Sequence, residues 1–173
     1  LKALRFILDA QYPNGAWPQR FPLKYEFAHD GLADYTSYYT FNDNIVNSIF
    51  DVLVTAWEQL GDERYREAAL RGVDFVILSQ GPEGQSAWAE QYDMNLRPAW
   101  ARTHEAPAIT VRPSMMNILL LERAFLMTGD RRYLKPIPAA LAWFEKSALE
   151  KLPDGRLRLS ENYFPVTNAP QYL

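Results

Sequence analysis

Apolar residues of this chain recur at the spacing of an α-helix in several segments, each separated from the next by polar stretches. Over 44–60 they fall every three or four positions, which predicts an amphipathic helix. The same spacing predicts a second helix over 63–79 that buries one apolar face, and a shorter one over 1–9. The chain therefore begins as a set of helices joined by polar connections.

Two more helices are predicted in the second half of the chain. Ser114 is a favoured residue for the start of a helix and precedes an apolar stripe, so the third long helix is expected to begin there. The last helix is expected to run to about residue 150. Pro136 and Pro138 fit only its first turn or a short lead-in, because proline lacks the amide that a helix interior needs.

A tight turn recurs between the paired helices. The sequence GDERY at 61–65 returns as GDRRY at 129–133, where glycine is suited to end one helix and aspartate to cap the next. The unit of helix, turn, helix and long loop repeats about every 69 residues, and units of this kind stack against their neighbours. An all-α array follows, curved or closed into a toroid. Full units are expected at 44–112 and 114–173.

A half unit at 1–43 lacks its first helix, so we expect that helix to be missing upstream of Leu1. The long loops of the units are longer than connections between helices usually are, which suggests that they have a function. They carry Trp17, Trp88 and Trp100 and most prolines, and loops on one face of a repeat array often form its binding surface.

Composition narrows the class of protein. The 173 residues fit one domain, and 48% hydrophobic residues suffice for a packed core. A net charge of −3 argues against a nucleic-acid partner. No apolar run reaches the roughly 18 residues of a membrane span, so no membrane partner is expected either. The absence of cysteine excludes thiolate chemistry, and with only His29 and His104 a His-rich zinc site is not expected. A monomer is expected.

Asp43 and Asn44 stand where the first long loop enters a helix. They could cap that helix, since Asp and Asn are favoured there. They could instead offer oxygen ligands to a hard cation at the loop face. Asp93 lies one repeat along and is expected on the same rim, so Asp43 and Asp93 together could hold a hydrated calcium ion that a substrate carboxylate completes.

Three arginines lie close together in the second long loop: Arg97, Arg102 and Arg112. Guanidinium groups bind carboxylates through two parallel hydrogen bonds. Arg102 could equally pair with Glu105. Paired carboxylates would also suit a glycoside hydrolase, for instance Asp43 with Asp93 or Glu90.

Four short motifs, in order and at comparable spacing, resemble those of the family 10 polysaccharide lyases that cleave pectate. They are QYPNGAWPQ at 11–19, TFNDN at 40–44, WAEQYD at 88–93 and RPAWAR at 97–102 with Glu105. The resemblance covers about residues 1–112. It implies an (α/α)3 toroid. We expect this toroid to be incomplete, because the chain is expected to be truncated at its N-terminus or at both ends.

The resemblance also implies calcium-assisted β-elimination of polygalacturonate. By this resemblance, Asp43 and Asp93 are expected to be metal ligands. The residues expected to bind substrate are Asn44, Arg97, Arg102, Trp88 and Trp100. The family's base is an arginine toward the C-terminus. Arg102 and Arg158 are the catalytic assignments here, with Arg156 as the alternative to Arg158.

The chain departs from the family pattern at two places. Glu161 and Asn162 stand where an arginine and an aromatic residue are expected, and Trp100 stands in place of a lysine. The alternatives to a lyase are therefore a non-catalytic relative that binds acidic polysaccharide and a toroidal glycoside hydrolase. Secretion or a periplasmic location is expected.

Overall fold

The computed structural model describes residues 1–23, 35–102 and 105–172. Helices form most of its regular structure, and five α-helices follow one another along these ranges. They are α1 Lys2–Asp9, α2 Ile45–Leu60, α3 Glu63–Leu78, α4 Val111–Thr128 and α5 Ile137–Ser147. None of the helices in the described ranges has both the length and the apolar character that crossing a bilayer requires.

The predicted helix boundaries are mostly confirmed. Gly61 ends α2 in the left-handed conformation at φ 68°, and the Asp62 side chain caps α3 by accepting a hydrogen bond from the Arg64 amide. Gly129 and Asp130 repeat both features between α4 and a 3-10 turn, Arg131–Leu134. The turns thus follow from local chemistry that the sequence already contains.

Ser114 does not begin α4. The helix starts three residues earlier, at Val111, and Ser114 is fully buried within it. The Ser114 hydroxyl donates to the Thr110 carbonyl oxygen at 2.6 Å and accepts from the Trp88 amide at 2.9 Å. A residue suited to capping is therefore used to join the helix to the preceding long loop.

Seven two-residue strands lie in the described parts of the long loops, and the helical pattern did not predict them. They are β1 Tyr39–Thr40, β2 Gln91–Tyr92, β3 Ile109–Thr110, β4 Glu150–Lys151, β5 Leu157–Arg158, β6 Asn162–Tyr163 and β7 Pro170–Gln171. Strands β1 and β2 pair antiparallel, β6 pairs with both β3 and β7, and β4 with β5. Strands this short have no alternating pattern that a sequence could reveal.

The repeat reappears as equivalent hydrogen bonds one unit apart. The Trp17 indole donates to the Ile7 carbonyl oxygen at 2.9 Å, and the Trp88 indole donates to that of Val76 at 2.8 Å. Both rings lie in the core with the buried faces of α2, α3 and α4. Closure of the helices into a toroid stays a prediction.

Candidate functional site

A short turn before α2 carries the most unusual backbone of the site. The Phe41 amide donates to the Glu90 carbonyl oxygen at 2.7 Å, and the Asn42 amide donates to the Thr40 hydroxyl at 3.0 Å. Asp43 and Asn44 then adopt positive φ angles of 52° and 59°. Asp and Asn tolerate this region better than other residues with a side chain, yet such conformations concentrate at functional sites.

Neither side chain at this turn caps the helix. Asn44 occupies the position before α2, but its side chain makes no capping hydrogen bond. The Asp43 carboxylate is exposed, with Gln19 Nε2 3.4 Å from its Oδ2 atom. Among the described residues, therefore, neither Asp43 nor Asn44 caps α2 through its side chain, while the Asn42 Oδ1 atom accepts from the Asp43 amide at 2.8 Å.

Two neighbouring cavities open beside this turn and form the candidate site. The first, about 220 Å³, includes Asp43, Asn44, Glu90, Arg112 and Glu161 in its lining. The second, about 290 Å³, shares Glu90 and Glu161 and adds Glu105. Because the two cavities have walls in common, we treat them as one acidic groove.

Glu90 lies at the centre of this groove. Burial raises the pKa of its carboxyl group, and the negative charges of Glu105, Glu161 and Asp43 raise it further, while Arg102 opposes them. A carboxyl group shifted by both burial and like charges is typical of sites that transfer protons or bind cations.

The donors at this turn fit a hard cation. The Asn44 Oδ1 atom is buried and accepts no hydrogen bond from the described residues, and the residues Asn44 and Asp43 line the same cavity. Amide and carboxylate oxygens are the ligands that calcium prefers. Across the described ranges, no three acidic or histidine side chains are arranged to hold a metal ion by themselves. An ion here would thus need ligands from water or substrate.

Comparison with known proteins identifies the family. The family model described as pectic acid lyase matches residues 1–169.

The chain belongs to the pectic acid lyase family.

Solved structures of a family 10 polysaccharide lyase from Cellvibrio cellulosa share the fold. One aligns with a TM-score of 0.71 at 24% identity over 87% of this chain and 48% of that chain. A mutant of this lyase in complex with trigalacturonic acid aligns with a TM-score of 0.75 at 23% identity, over 97% and 58% respectively. The chain thus spans about half the length of these relatives. No curated protein sequence matches it.

Asp93, the second metal ligand implied by the lyase family, does not line the groove. The β1–β2 pairing sets Tyr39 opposite Tyr92, so Asp93 follows one end of this ladder and Asp43 follows the other. Asp93 Oδ1 accepts from the amides of Asn95 at 2.8 Å and Arg97 at 3.0 Å. Asp43 instead shares its cavity with Asn44, Glu90 and Glu161.

The two arginines assigned to catalysis are both engaged elsewhere. Arg102 forms an ion pair with Glu105, and hydrogen bonding to that carboxylate raises the pKa of the Arg102 guanidinium. A base would need the opposite shift, so this ion pair does not favour proton abstraction by Arg102, and its catalytic role stays a prediction. Arg158 pairs with Glu150 across the β4–β5 hairpin at 2.8 Å and lines neither cavity of the groove.

The expected aromatic platform is only partly present. Trp88 is fully buried, so no face of its ring is available for a sugar, and its substrate-binding assignment is wrong. Trp100 is 53% exposed. It directly follows Ala99, whose amide donates a hydrogen bond to the Gln91 carbonyl oxygen in β2. Arg97 is exposed but lines neither cavity. The two histidines lie outside the described residues.

Sequence reasoning missed the grouping that defines the groove. The sequence indicates Glu90 only as one partner of a carboxylate pair, and Glu161 only as a departure from the family pattern. Glu161 reaches the groove because β6 pairs with β3 and the Val111 amide donates to the Glu161 carbonyl oxygen at 3.0 Å. No local motif signals a contact between residues 50 positions apart.

Proposed function

We propose that the chain forms part of an enzyme that cleaves polygalacturonate by β-elimination with the help of calcium. The observation that carries the proposal is the Asp43–Asn44 pair, which combines two left-handed backbones with a position on the wall of an acidic cavity, and whose buried Asn44 amide oxygen has no hydrogen-bond partner among the described residues. Membership of the pectic acid lyase family supports the reaction class. A relative in complex with trigalacturonic acid supports the substrate class.

The reaction needs a proton to leave carbon 5 of a uronate, next to its carboxylate. The electron pair of that bond forms a double bond between carbons 4 and 5, the bond to the oxygen at carbon 4 breaks, and that oxygen takes up a proton. A calcium ion held by Asp43 and Asn44 would neutralise the uronate carboxylate and so make the carbon 5 proton more acidic.

Within this chain we assign proton transfer to Glu90. Its position between both cavities lets it reach a sugar bound beside Asp43. Its raised pKa makes the carboxylate a stronger base than an ordinary glutamate while it remains ionised. Arg102 and Glu105 satisfy each other's charge at the edge of the groove and shape its wall.

Product chemistry tests the proposal directly. Incubation with polygalacturonate and calcium is expected to give an unsaturated uronide that absorbs ultraviolet light, and a chelator is expected to abolish the signal. Glu90→Gln should lose the signal while keeping the fold, whereas Glu122→Gln, on the exposed side of α4, should retain it. Absence of ultraviolet-absorbing product from every pectic substrate would refute the proposal.

A glycoside hydrolase is the second candidate, because Glu90 and Asp43 share one cavity and the charge of Asp43 raises the pKa of Glu90. A protonated carboxyl group beside an ionised one is the arrangement that glycosidases use. New reducing ends without ultraviolet absorbance would favour this candidate. Binding without either product would favour a non-catalytic relative. Because a polymeric substrate cannot cross a membrane, we also propose that the protein acts outside the cytoplasm.

A further inference from the structure

Arg112 is the cation on the wall of the cavity that holds Asp43 and Asn44. It is the second residue of α4 and is exposed. The pairing of β3 with β6 and the hydrogen bond from the Val111 amide to the Glu161 carbonyl oxygen fix the backbone immediately before it. The position of Arg112 therefore depends on the same contacts that bring Glu161 to the groove.

The Arg112 guanidinium takes part in no ion pair with the described residues. Most other arginines in the described part of the chain already form an ion pair with a carboxylate. These pairs are Arg5–Asp9, Arg64–Asp62, Arg66–Glu63, Arg102–Glu105, Arg123–Asp51, Arg132 with Asp74 and Asp130, Arg156–Asp154 and Arg158–Glu150. Arg112 is therefore able to form two parallel hydrogen bonds to a ligand carboxylate.

An acidic ligand at this cavity has to overcome the repulsion of the carboxylates on its wall. Among the described residues, that wall carries the carboxylates of Asp43, Glu90 and Glu161 and one cationic side chain, that of Arg112. The calcium ion proposed at Asp43 and Asn44 would offset part of this repulsion, and Arg112 adds a further positive charge in a partly enclosed space, where charges are poorly screened. Arg102, the family-based choice for binding the uronate, is held by Glu105.

We propose that Arg112 binds the carboxylate of one sugar of the substrate and selects uronates over neutral sugars at the Asp43 cavity. This inference rests on the proposed function for its ligand class. It assigns to Arg112 the role that the family resemblance gives to Arg102. It also explains why a groove with an excess of carboxylates would still admit an anionic chain.

The test measures binding rather than turnover, at fixed salt and calcium. Calorimetry compares trigalacturonic acid with a neutral galactose trisaccharide on the wild type, Arg112→Gln and Arg112→Lys. We expect Arg112→Gln to weaken binding of the acidic trisaccharide about 10-fold or more and to leave the neutral one unchanged, because a charge-assisted hydrogen bond is lost. Arg112→Lys should restore part of the affinity, since it keeps the charge but not the fork.

Arg131→Gln is the matched control. Arg131 is also an exposed arginine without an ion pair among the described residues, and it follows the far end of α4. The 18 residues of that helix span about 27 Å. Equal weakening by Arg112→Gln and Arg131→Gln would show a general effect of net charge and overturn the proposal.

The outcomes separate this inference from the proposed function. If the wild type binds the acidic trisaccharide but gives no unsaturated product, the lyase function fails, and the role of Arg112 is still decided by the affinities. Unchanged affinity in Arg112→Gln, or no preference of the wild type for the acidic over the neutral trisaccharide, would overturn the role of Arg112. If Arg112→Gln does not fold, Arg112→Lys provides the test. An affinity for trigalacturonic acid equal to that of the wild type would then overturn the proposal that the Arg112 guanidinium binds the carboxylate through two parallel hydrogen bonds.

Discussion

Asp43 and Asn44 are consecutive residues that both hold the left-handed backbone conformation, and the amide oxygen of the second is buried with no hydrogen-bond partner in the described part of the chain. Each feature costs free energy, of order 1 kcal/mol or more. The surrounding strands and the Glu90 carbonyl hold the turn in place. Strain combined with an unsatisfied acceptor is expected where a ligand later completes the site.

Asp43→Asn should abolish calcium-dependent activity without unfolding the protein. Asparagine tolerates the same backbone conformation, so only the charge is removed. We expect at least about a 100-fold loss of rate and a change in unfolding free energy within about 0.5 kcal/mol. Asp154→Asn, in the exposed turn between β4 and β5, serves as control. A large loss of thermal stability in Asp43→Asn would instead show a structural role.

Asn44→Gly should separate ligand binding from stability in a second way. Glycine adopts the positive φ of 59° without strain, and the variant no longer carries a buried oxygen without a partner. Calcium affinity, measured by calorimetry in the presence of trigalacturonic acid, is expected to fall about 10-fold. Thermal unfolding without calcium should occur at the same temperature or higher. Unchanged calcium affinity would remove Asn44 from the site.

Gln11 and Gln80 should make similar contributions to stability because they join successive repeat units in the same way. Gln11 Nε2 donates to the Ala68 carbonyl oxygen and Gln80 Nε2 to that of Pro136, both at 2.9 Å. Replacement of either by alanine removes the two hydrogen bonds that its side-chain amide donates. At about 0.5–1.5 kcal/mol each, this loss should cost about 1–3 kcal/mol in urea unfolding. Gln59→Ala, exposed near the end of α2, should cost less than about 0.5 kcal/mol. A negligible cost for Gln11→Ala or Gln80→Ala would contradict the role of these bonds.

Alkaline pH should weaken the fold through Tyr12. Burial raises the pKa of Tyr12 from 10.0 to about 12, and its hydroxyl donates to the Ser37 carbonyl oxygen at 2.6 Å. The folded state therefore keeps its proton where the unfolded state loses it, so stability is lost as pH rises from about 10 to 12. Tyr12→Phe should be less stable at pH 8 and show a shallower decline of the urea midpoint across this window. An equal slope in both proteins would contradict this assignment.

The helical parts of the fold were predictable because their causes are local. The Gly61 and Asp62 turn and its copy at 129–130 depend on side chains that act within a few residues. The start of α4 was misplaced because Ser114 uses its hydroxyl to bind Trp88 across a loop. The candidate site was predicted less completely. Asp43 and Asn44 were identified, but their grouping with Glu90 and Glu161 was not.

The sequence by itself determined the helices, the repeat and the membership of the pectic acid lyase family, since these depend on spacing and short motifs along the chain. Only the tertiary structure decided which side chains face the groove. Trp88 resembles a sugar-binding residue in sequence but fills the core, and Arg102 is held by Glu105 while Arg112 lines the cavity. The physical reason is that two-residue strands such as β1–β2 and β3–β6 set these positions. Their pairing depends on contacts between distant residues, which leave no periodic signal in the chain.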